Sequence, residues 1–326
     1  MDARIEELQT KVIELKKRRN ALIVAHNYQP LEIQQVADFV GDSLQLAKKC
    51  ASDTGHDMIV FAGVRFMAEM AAVLSKGVPV YLPAPDTRCP LASHLTPKKI
   101  RAIRRKYPGA PVVVYVNTDA ETKAECDVIC TSGNAVEVIQ NLGVDTVLFG
   151  PDKNLADHIR KNTDVRVIDI EPKGHCYVHQ QFDVAQIELL REEHPNAIVI
   201  AHPECPLEVQ EAADMVGSTG MMVKTVAESP AKEFILATEI GLVEQLQAAH
   251  PDKTIIPAYN AARCQQMKKN SLEKIVHVLE TLPEENKISV PEKLVPRIRK
   301  ALEKMNSVTA SPVLVEAKLE SRNPPA

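Results

Sequence analysis

Three short apolar runs recur along the chain, each closing on a ring-bearing side chain: ALIVAH at 21–26, APVVVY at 110–115 and NAIVIAH at 196–202. Continuous runs of this length, rich in Val and Ile and bounded by Gly, Pro or Asn, predict strands buried on both faces. Each is preceded by a charged stretch of helical period. Each is followed by a second strand (DMIVFAG, DTVLFG, KEFILAT), then a helix (MAEMAAVLSKG, LADHIRK, LVEQLQAAH) and a third strand (VPVYLPA, VRVIDIEP, KTIIPAYN). Strands alternating with helices predict parallel sheets covered on both sides. The expected fold class is α/β: three pseudo-symmetric three-layer α/β/α domains around a pseudo-threefold axis, with a central active site. The divisions expected are 1–95 with an N-terminal helix, 96–183, 184–280, and 281–326 as a C-terminal helix (VPEKLVPRIRKALEKM) and a frayed tail (SRNPPA).

The repeat is also written in the residues. AHNYQPLEIQQVADFVGDS at 25–43 returns as AHPECPLEVQEAADMVGST at 201–219, and more loosely as YVNTDAETKAECDVICTS at 115–132. His26, Tyr115 and His202 correspond, as do Tyr28, Asn117 and Glu204, and Asp38, Asp127 and Asp214. The aspartates recur unchanged, which suits a structural task. The divergent pairs His26/Tyr28, Tyr115/Asn117 and His202/Glu204 suit chemistry on an asymmetric substrate. One cysteine closes each copy: Cys89, Cys176 and Cys264 lie 63, 61 and 62 residues after His26, Tyr115 and His202. Ligands bind outside the carboxyl ends of strands in open α/β sheets, where all these positions fall. Cys50, Cys126, Cys130 and Cys205 do not recur in phase. CDVIC predicts Cys126 and Cys130 one turn apart on a helix.

Three converging thiolates suit a zinc ion or an iron–sulfur cluster with one open iron. None of the three has the CxxC spacing usual for zinc. VGDS, CTSG and VGST predict a helix end followed by a helix start, with Gly41 and Gly217 at C′ positions. Ser43, Ser132 and Thr219 then fall near helix N-termini, where hydroxyls and free N–H groups suit anions. His175 and His179 flank Cys176. His56, His94, His158, His194, His250 and His277 have no such context.

Composition removes other classes. The chain of 326 residues has a net charge of −4 with both signs mixed, which argues against nucleic-acid or membrane-surface partners. There is no Trp and little aromatic content. No apolar run approaches the roughly 18 residues that would span a membrane. The charged, helix-period start is expected to be a helix and not a secretory signal. Seven cysteines without an export signal suggest free thiols in a reducing cytoplasm.

AHNYQ, GDS, CTSGNAVEVI, GHCYVH, AHPEC, GSTG and CQQMKKNSLEKIVHVLE, in this order from about Leu22 to Met305, resemble the quinolinate synthase family of NAD biosynthesis. The resemblance implies condensation of iminoaspartate with dihydroxyacetone phosphate. It implies an oxygen-sensitive 4Fe-4S cluster on Cys89, Cys176 and Cys264. It implies catalytic roles for Tyr28, His179, His202 and Glu204. Substrate binding is expected at His26, Ser43, Tyr115, Asn117, Ser132, His202, Glu204 and Thr219. A transient contact with L-aspartate oxidase, the upstream source of iminoaspartate, is the implied protein partner. Some family members carry further cysteines in the third motif; RCQQM has one, so no disulfide switch is expected there. The alternatives from the residues alone are a zinc-dependent aldolase or lyase on the same thiolates, and a non-enzymatic binding or electron-transfer protein.

Overall fold

The computed structural model describes residues 3–53 and 55–309. The expected frayed tail lies outside them. Three four-stranded parallel sheets follow one another along the chain. The first contains β1 (Ala21–His26), β2 (Phe39–Gly41), β3 (Met58–Ala62) and β4 (Val80–Tyr81). The second contains β5 (Val112–Tyr115), β6 (Val128–Cys130), β7 (Thr146–Gly150) and β8 (Arg166–Asp169). The third contains β9 (Ile198–Ala201), β10 (Met215–Val216), β11 (Glu233–Ala237) and β12 (Thr254–Pro257). Strand order is the same in each: β2-β1-β3-β4, β6-β5-β7-β8 and β10-β9-β11-β12. Helices pack on the faces, so the fold is α/β as expected. The described residues contain no helix long and apolar enough to cross a membrane.

Each sheet has one strand more than the hydrophobic pattern predicts. The extra strand is the short edge strand, β2, β6 or β10, of two or three residues. That length is too brief to show a period. This corrects the reading of CDVIC: Cys130 ends β6 and Cys126 precedes it, so the two are not one turn apart on a helix. It also corrects Gly41 and Gly217. Gly41 ends β2 and Gly217 follows β10, and neither has a positive φ.

The shared aspartates tie the edge strand to the central one. Asp38 Oδ2 accepts from Ile23 N at 2.8 Å, Asp127 Oδ2 from Val112 N at 2.7 Å and Asp214 Oδ2 from Val199 N at 2.8 Å. A basic residue of the preceding helix meets each: Lys16, Arg104 and Arg191. A second recurring device holds the loop after each central strand. Gln34 Nε2 donates to the Asn27 and Gln29 carbonyls, and Gln210 Nε2 to those of Pro203 and Cys205. In the middle copy a fully buried Lys123 does this, donating to the Thr118 carbonyl. Burial brings its pKa down to about 8.

The ends of the chain meet on the first sheet. The helix Ala3–Arg18 packs against the helix Leu272–Thr281. Together they cover Ile23, Ala25, Met58 and Val60. Ile288 N donates to the Val80 carbonyl, and Asn286 Nδ2 to the Leu82 carbonyl at 2.8 Å. The predicted C-terminal helix, Val295–Val308, packs on β6.

Candidate active site

The central strand of each sheet is flanked by the second strand on one side and the third on the other, which places a topological switch point at its carboxyl end. His26 ends β1, Tyr115 ends β5 and His202 follows β9. These three line one cavity together with Tyr28, Asn117, Glu204, Ser43, Ser132, Thr219, His179 and the thiols of Cys89, Cys176 and Cys264. The structure thus brings every predicted site residue to one place. Among the described residues, no Lys or Arg lines the cavity.

The recurrent His positions are set by their own loops. Tyr28 N donates to His26 Nδ1 at 3.1 Å, and Glu204 N to His202 Nδ1 at 3.2 Å. An Nδ1 that accepts leaves the proton on Nε2. Burial lowers both imidazoles to about 3, so each is a neutral N–H donor near pH 7. Burial, reinforced by the charge of Glu204, raises the Tyr115 phenol well above its ordinary range, so it is a neutral O–H donor in the middle copy.

Glu204, 3 % exposed, is the hub. Its Oε1 accepts from Asn117 Nδ2 at 3.0 Å, and its Oε2 lies 2.8 Å from His179 Nδ1. Burial alone would raise this carboxyl. The hydrogen bond from His179, and the charge His179 carries when protonated, outweigh burial and hold it at about 2. His179 stacks on His202 with ring centroids 4.5 Å apart, and its Nδ1 also lies 3.3 Å from Cys176 Sγ. On the other edge, His179 Nε2 lies 3.4 Å from the Tyr28 hydroxyl and 3.5 Å from Thr238 Oγ1; those two oxygens are 2.9 Å apart. Asn117 Oδ1 is buried with no hydrogen-bond partner among the described residues, an acceptor suited to a ligand.

Two of the three helix starts are as predicted, with the caps on the neighbours; the third helix begins at Ala135, three residues after Ser132, with Asn134 at its N-cap position. Asp42 caps Ser43–Ser52 through Leu44 N and Gln45 N, with Gln45 returning the bond to Asp42 N. Ser218 caps Thr219–Glu228. Ser43 and Thr219 are the first helical residues. Thr219 Oγ1 accepts from Asn27 Nδ2 at 3.0 Å.

The cysteine loops repeat one backbone bond. The first residue of the helix after β3, β7 or β11 donates to the carbonyl two residues before each cysteine: Arg65 to Thr87, Lys153 to Gly174 and Ile240 to Ala262. Between loops, Arg88 N donates to Gln266 Oε1 and Gln265 N to the Tyr177 hydroxyl. Gly174 is required by close approach: a Cβ there would lie 1.9 Å from the Pro151 carbonyl oxygen.

The three cavity thiols have the donor chemistry of a zinc ion or an iron–sulfur group. All seven cysteines are free, and each of Cys89, Cys176 and Cys264 is half-buried. The Cys176 thiol, raised foremost by burial, feels Cys89 and Cys264, so the three share one electrostatic neighbourhood. Yet among the described residues the three sulfurs are not a set lying within 4.8 Å of one another.

Comparison with known proteins decides the family. Residues 10–307 match the family described as "NadA: Quinolinate synthetase A protein". The chain belongs to this quinolinate synthetase A family. Its relatives include quinolinate synthases of Methanothermobacter thermautotrophicus, 44% identical over 94% of this chain and 99% of the relative, and of Pyrococcus furiosus, 46% identical over 93% and 98%. That of Thermotoga maritima is 44% identical over 90% and 97%. Family membership sets aside the electron-carrier alternative.

Three further groups beside this family member's site escaped the sequence reading. Thr238 contacts Tyr28 and His179. Glu239, fully buried, accepts from Cys264 N at 2.9 Å and from Gly241 N at 2.7 Å. Lys268 joins Glu239 to the Tyr28 carbonyl. Thr238 and Glu239 follow β11, at its carboxyl end, and that position was the available signal.

Proposed function

We propose that this chain joins iminoaspartate to dihydroxyacetone phosphate, releasing phosphate and two molecules of water, to give quinolinate. The observation that carries the reading is that Cys89, Cys176 and Cys264 line the same cavity as the Glu204–His179 pair. The thiols suit a 4Fe-4S cluster with one iron left open, which when bound supplies Lewis acidity toward substrate oxygens. The protein's own groups do the rest.

Both substrates are anionic, and the cavity meets them without a fixed cation. His26, His202 and Tyr115 offer neutral donors to carboxylate or phosphate oxygens. Ser43 and Thr219 add hydroxyls at helix starts, and Ser132 adds one in the matching turn. Neutral donors release an anionic product more readily than a guanidinium would. Glu204 and His179 exchange protons across 2.8 Å, as removal of a proton from carbon and dehydration both require. Tyr28, fixed by Thr238, is the proton donor on the far side of His179. Asn117 orients Glu204 through its amide and keeps its carbonyl for a substrate N–H or O–H.

The test is anaerobic. The chain is reconstituted with iron and sulfide, then given both substrates, and quinolinate is measured. Formation of quinolinate with a broad visible absorption supports the reading. A colourless preparation that makes quinolinate with zinc alone overturns the cluster.

A further inference from the structure

Among the described residues, one set of three ligating groups is close enough to grip a single ion: Cys176, His179 and Glu204, whose ligand atoms all lie within 4.8 Å of one another. His179 Nδ1 stands between the other two, 3.3 Å from Cys176 Sγ and 2.8 Å from Glu204 Oε2. We propose that in the chain lacking its cluster these three residues form a zinc site, and that zinc held there blocks cluster assembly.

The donor set is thiolate, imidazole and carboxylate, the three ligand types zinc takes. Bonds of about 2.0–2.3 Å in a tetrahedron place ligand atoms about 3.3–3.8 Å apart, so the two separations from His179 Nδ1, 2.8 and 3.3 Å, need to open by less than about 1 Å. Cys176 and His179 are three residues apart, at the entry to the short 3₁₀ turn His179–Gln181, which sets both on one side. His179 and Glu204 are 1 % and 3 % exposed, so this is no surface coincidence of acidic groups.

The surroundings are also those of a metal site. A ligating imidazole is oriented by what its other nitrogen meets, and a ligating carboxylate by what holds its other oxygen. Here His179 Nε2 has Tyr28 and Thr238 hydroxyls at 3.4 and 3.5 Å. Glu204 Oε1 has Asn117 Nδ2 at 3.0 Å. His202 is not the fourth ligand: its Nδ1 already accepts from Glu204 N, and its ring stacks on His179. The fourth position opens on the cavity. The ion would neutralise two buried anions, a thiolate and a carboxylate.

Exclusion follows from sharing. Cys176 cannot serve one ion with His179 and Glu204 and also the cluster with Cys89 and Cys264. This half rests on the proposed cluster ligation; the zinc half does not.

The test uses the full-length chain, stripped of metal and kept anaerobic. Zinc is titrated against a chromophoric chelator, and cobalt is added in parallel as a spectroscopic stand-in. The expected result is one zinc per chain, with a thiolate-to-cobalt charge-transfer band. Cys176→Ser, His179→Ala and Glu204→Gln should each weaken zinc about tenfold or more. The double variant Cys89→Ser/Cys264→Ser should keep zinc affinity within about threefold, as neither residue is a ligand of this ion. Iron and sulfide should then build visible absorption in the metal-free chain but not in the zinc-loaded one, until a chelator removes the zinc. Absence of zinc binding in a chain that still assembles its cluster overturns the proposal. So does loss of zinc in the double variant, which would place the ion among the three thiols. Cluster assembly at an unchanged rate with zinc in place overturns the exclusion. Zinc binding as described, with no cluster forming in the metal-free chain, upholds the zinc site and overturns the exclusion together with the cluster reading.

Discussion

A single carboxylate and its partners concentrate most of the chemistry. Glu204 has both oxygens occupied, by Asn117 and His179, so Glu204→Gln keeps the shape and removes the charge. Turnover is expected to fall about 10²–10⁴-fold, with substrate binding kept and a condensed, incompletely dehydrated intermediate accumulating. Rapid quench of the anaerobic reaction checks this; turnover within a few-fold of the parent would move the role to His202 or His179. His26 gives a stability prediction. Its pKa falls from 6.5 to about 3 on folding, because burial disfavours the charged ring. The unfolded chain therefore binds the extra proton between those values, and stability falls as pH drops through that window. The cost approaches about 1.4 kcal/mol per pH unit. Between pH 6.5 and 4.5 Glu204 does not add to it, because its own change lies below its ordinary value of 4.5. His158 and His202 are lowered too and act in the same sense. Urea unfolding of His26→Gln across this window should show a shallower pH dependence than the parent; equal slopes would mean that the ring titrates freely in the folded chain. The residue-level reading reached His26, Tyr28, Asn117, His202 and Glu204 because the repeat marks them. It missed Thr238 because the residues aligned to it, Gly63 and Pro151, carry no such group, and Glu239 because only the middle copy matches it, with Asp152, while the first has Val64.

Elements were legible where the sequence around them is a long apolar run. Such runs announced nine strands, β4 among them though it spans two residues, while β2, β6 and β10, at two or three residues within shorter or more charged stretches, were not read. The same shortness turned CDVIC into a supposed helix: its spacing fits a turn, but Cys130 is held in the sheet by pairing with Tyr115. The helix starts at Ser43 and Thr219 were legible to within one residue, and that residue separates two tasks; the helix after Ser132 begins only at Ala135. Asp42 and Ser218 cap, whereas Ser43 and Thr219 face the cavity. Ser218→Ala should cost about 1 kcal/mol of stability with kinetics little changed. Thr219→Ala should raise the Michaelis constant more than it lowers the melting temperature. Steady-state assays beside thermal melts separate the two, and a reversed pattern would return Thr219 to a purely structural task. The loop before Cys176 is the least forgiving element. Gly174→Ala would drive a methyl group into the Pro151 carbonyl, displacing the thiol by way of the bond from Lys153 N. It should lower iron content after reconstitution while the far-ultraviolet spectrum stays that of the parent.

At the scale of the molecule, three sheets of one topology bring three loops to one cavity, as the in-phase cysteines foretold. Replacing Cys89, Cys176 or Cys264 by Ser should strip most of the iron and the activity in each case, although the three lie 87 and 88 residues apart in sequence. Cys126→Ser should spare both; iron analysis beside the quinolinate assay reads this directly, and cluster loss in Cys126→Ser would break the link between repeat and ligation. What the sequence pattern did not reveal is how the chain closes. Leu272, Ile275, Val276, Val278 and Leu279 bury themselves over the first sheet beside the N-terminal helix, each contributing about 1.5–3 kcal/mol. The segment at Asn286 and Ile288 then bonds to β4 and the residue after it. As the chain leaves the ribosome, the first sheet is therefore not complete until residues 272–288 arrive, shortly before the helix Val295–Val308 settles on the second. The earliest strands emerge with one face covered by the helix Ala3–Arg18 alone and wait through the synthesis of two further sheets for the helix that completes the cover. The middle and third sheets gain their own strands in the meantime. Any stall or truncation before residue 272 leaves part of that apolar face uncovered in the nascent chain, so an unfinished copy is marked at its beginning and not only at its end.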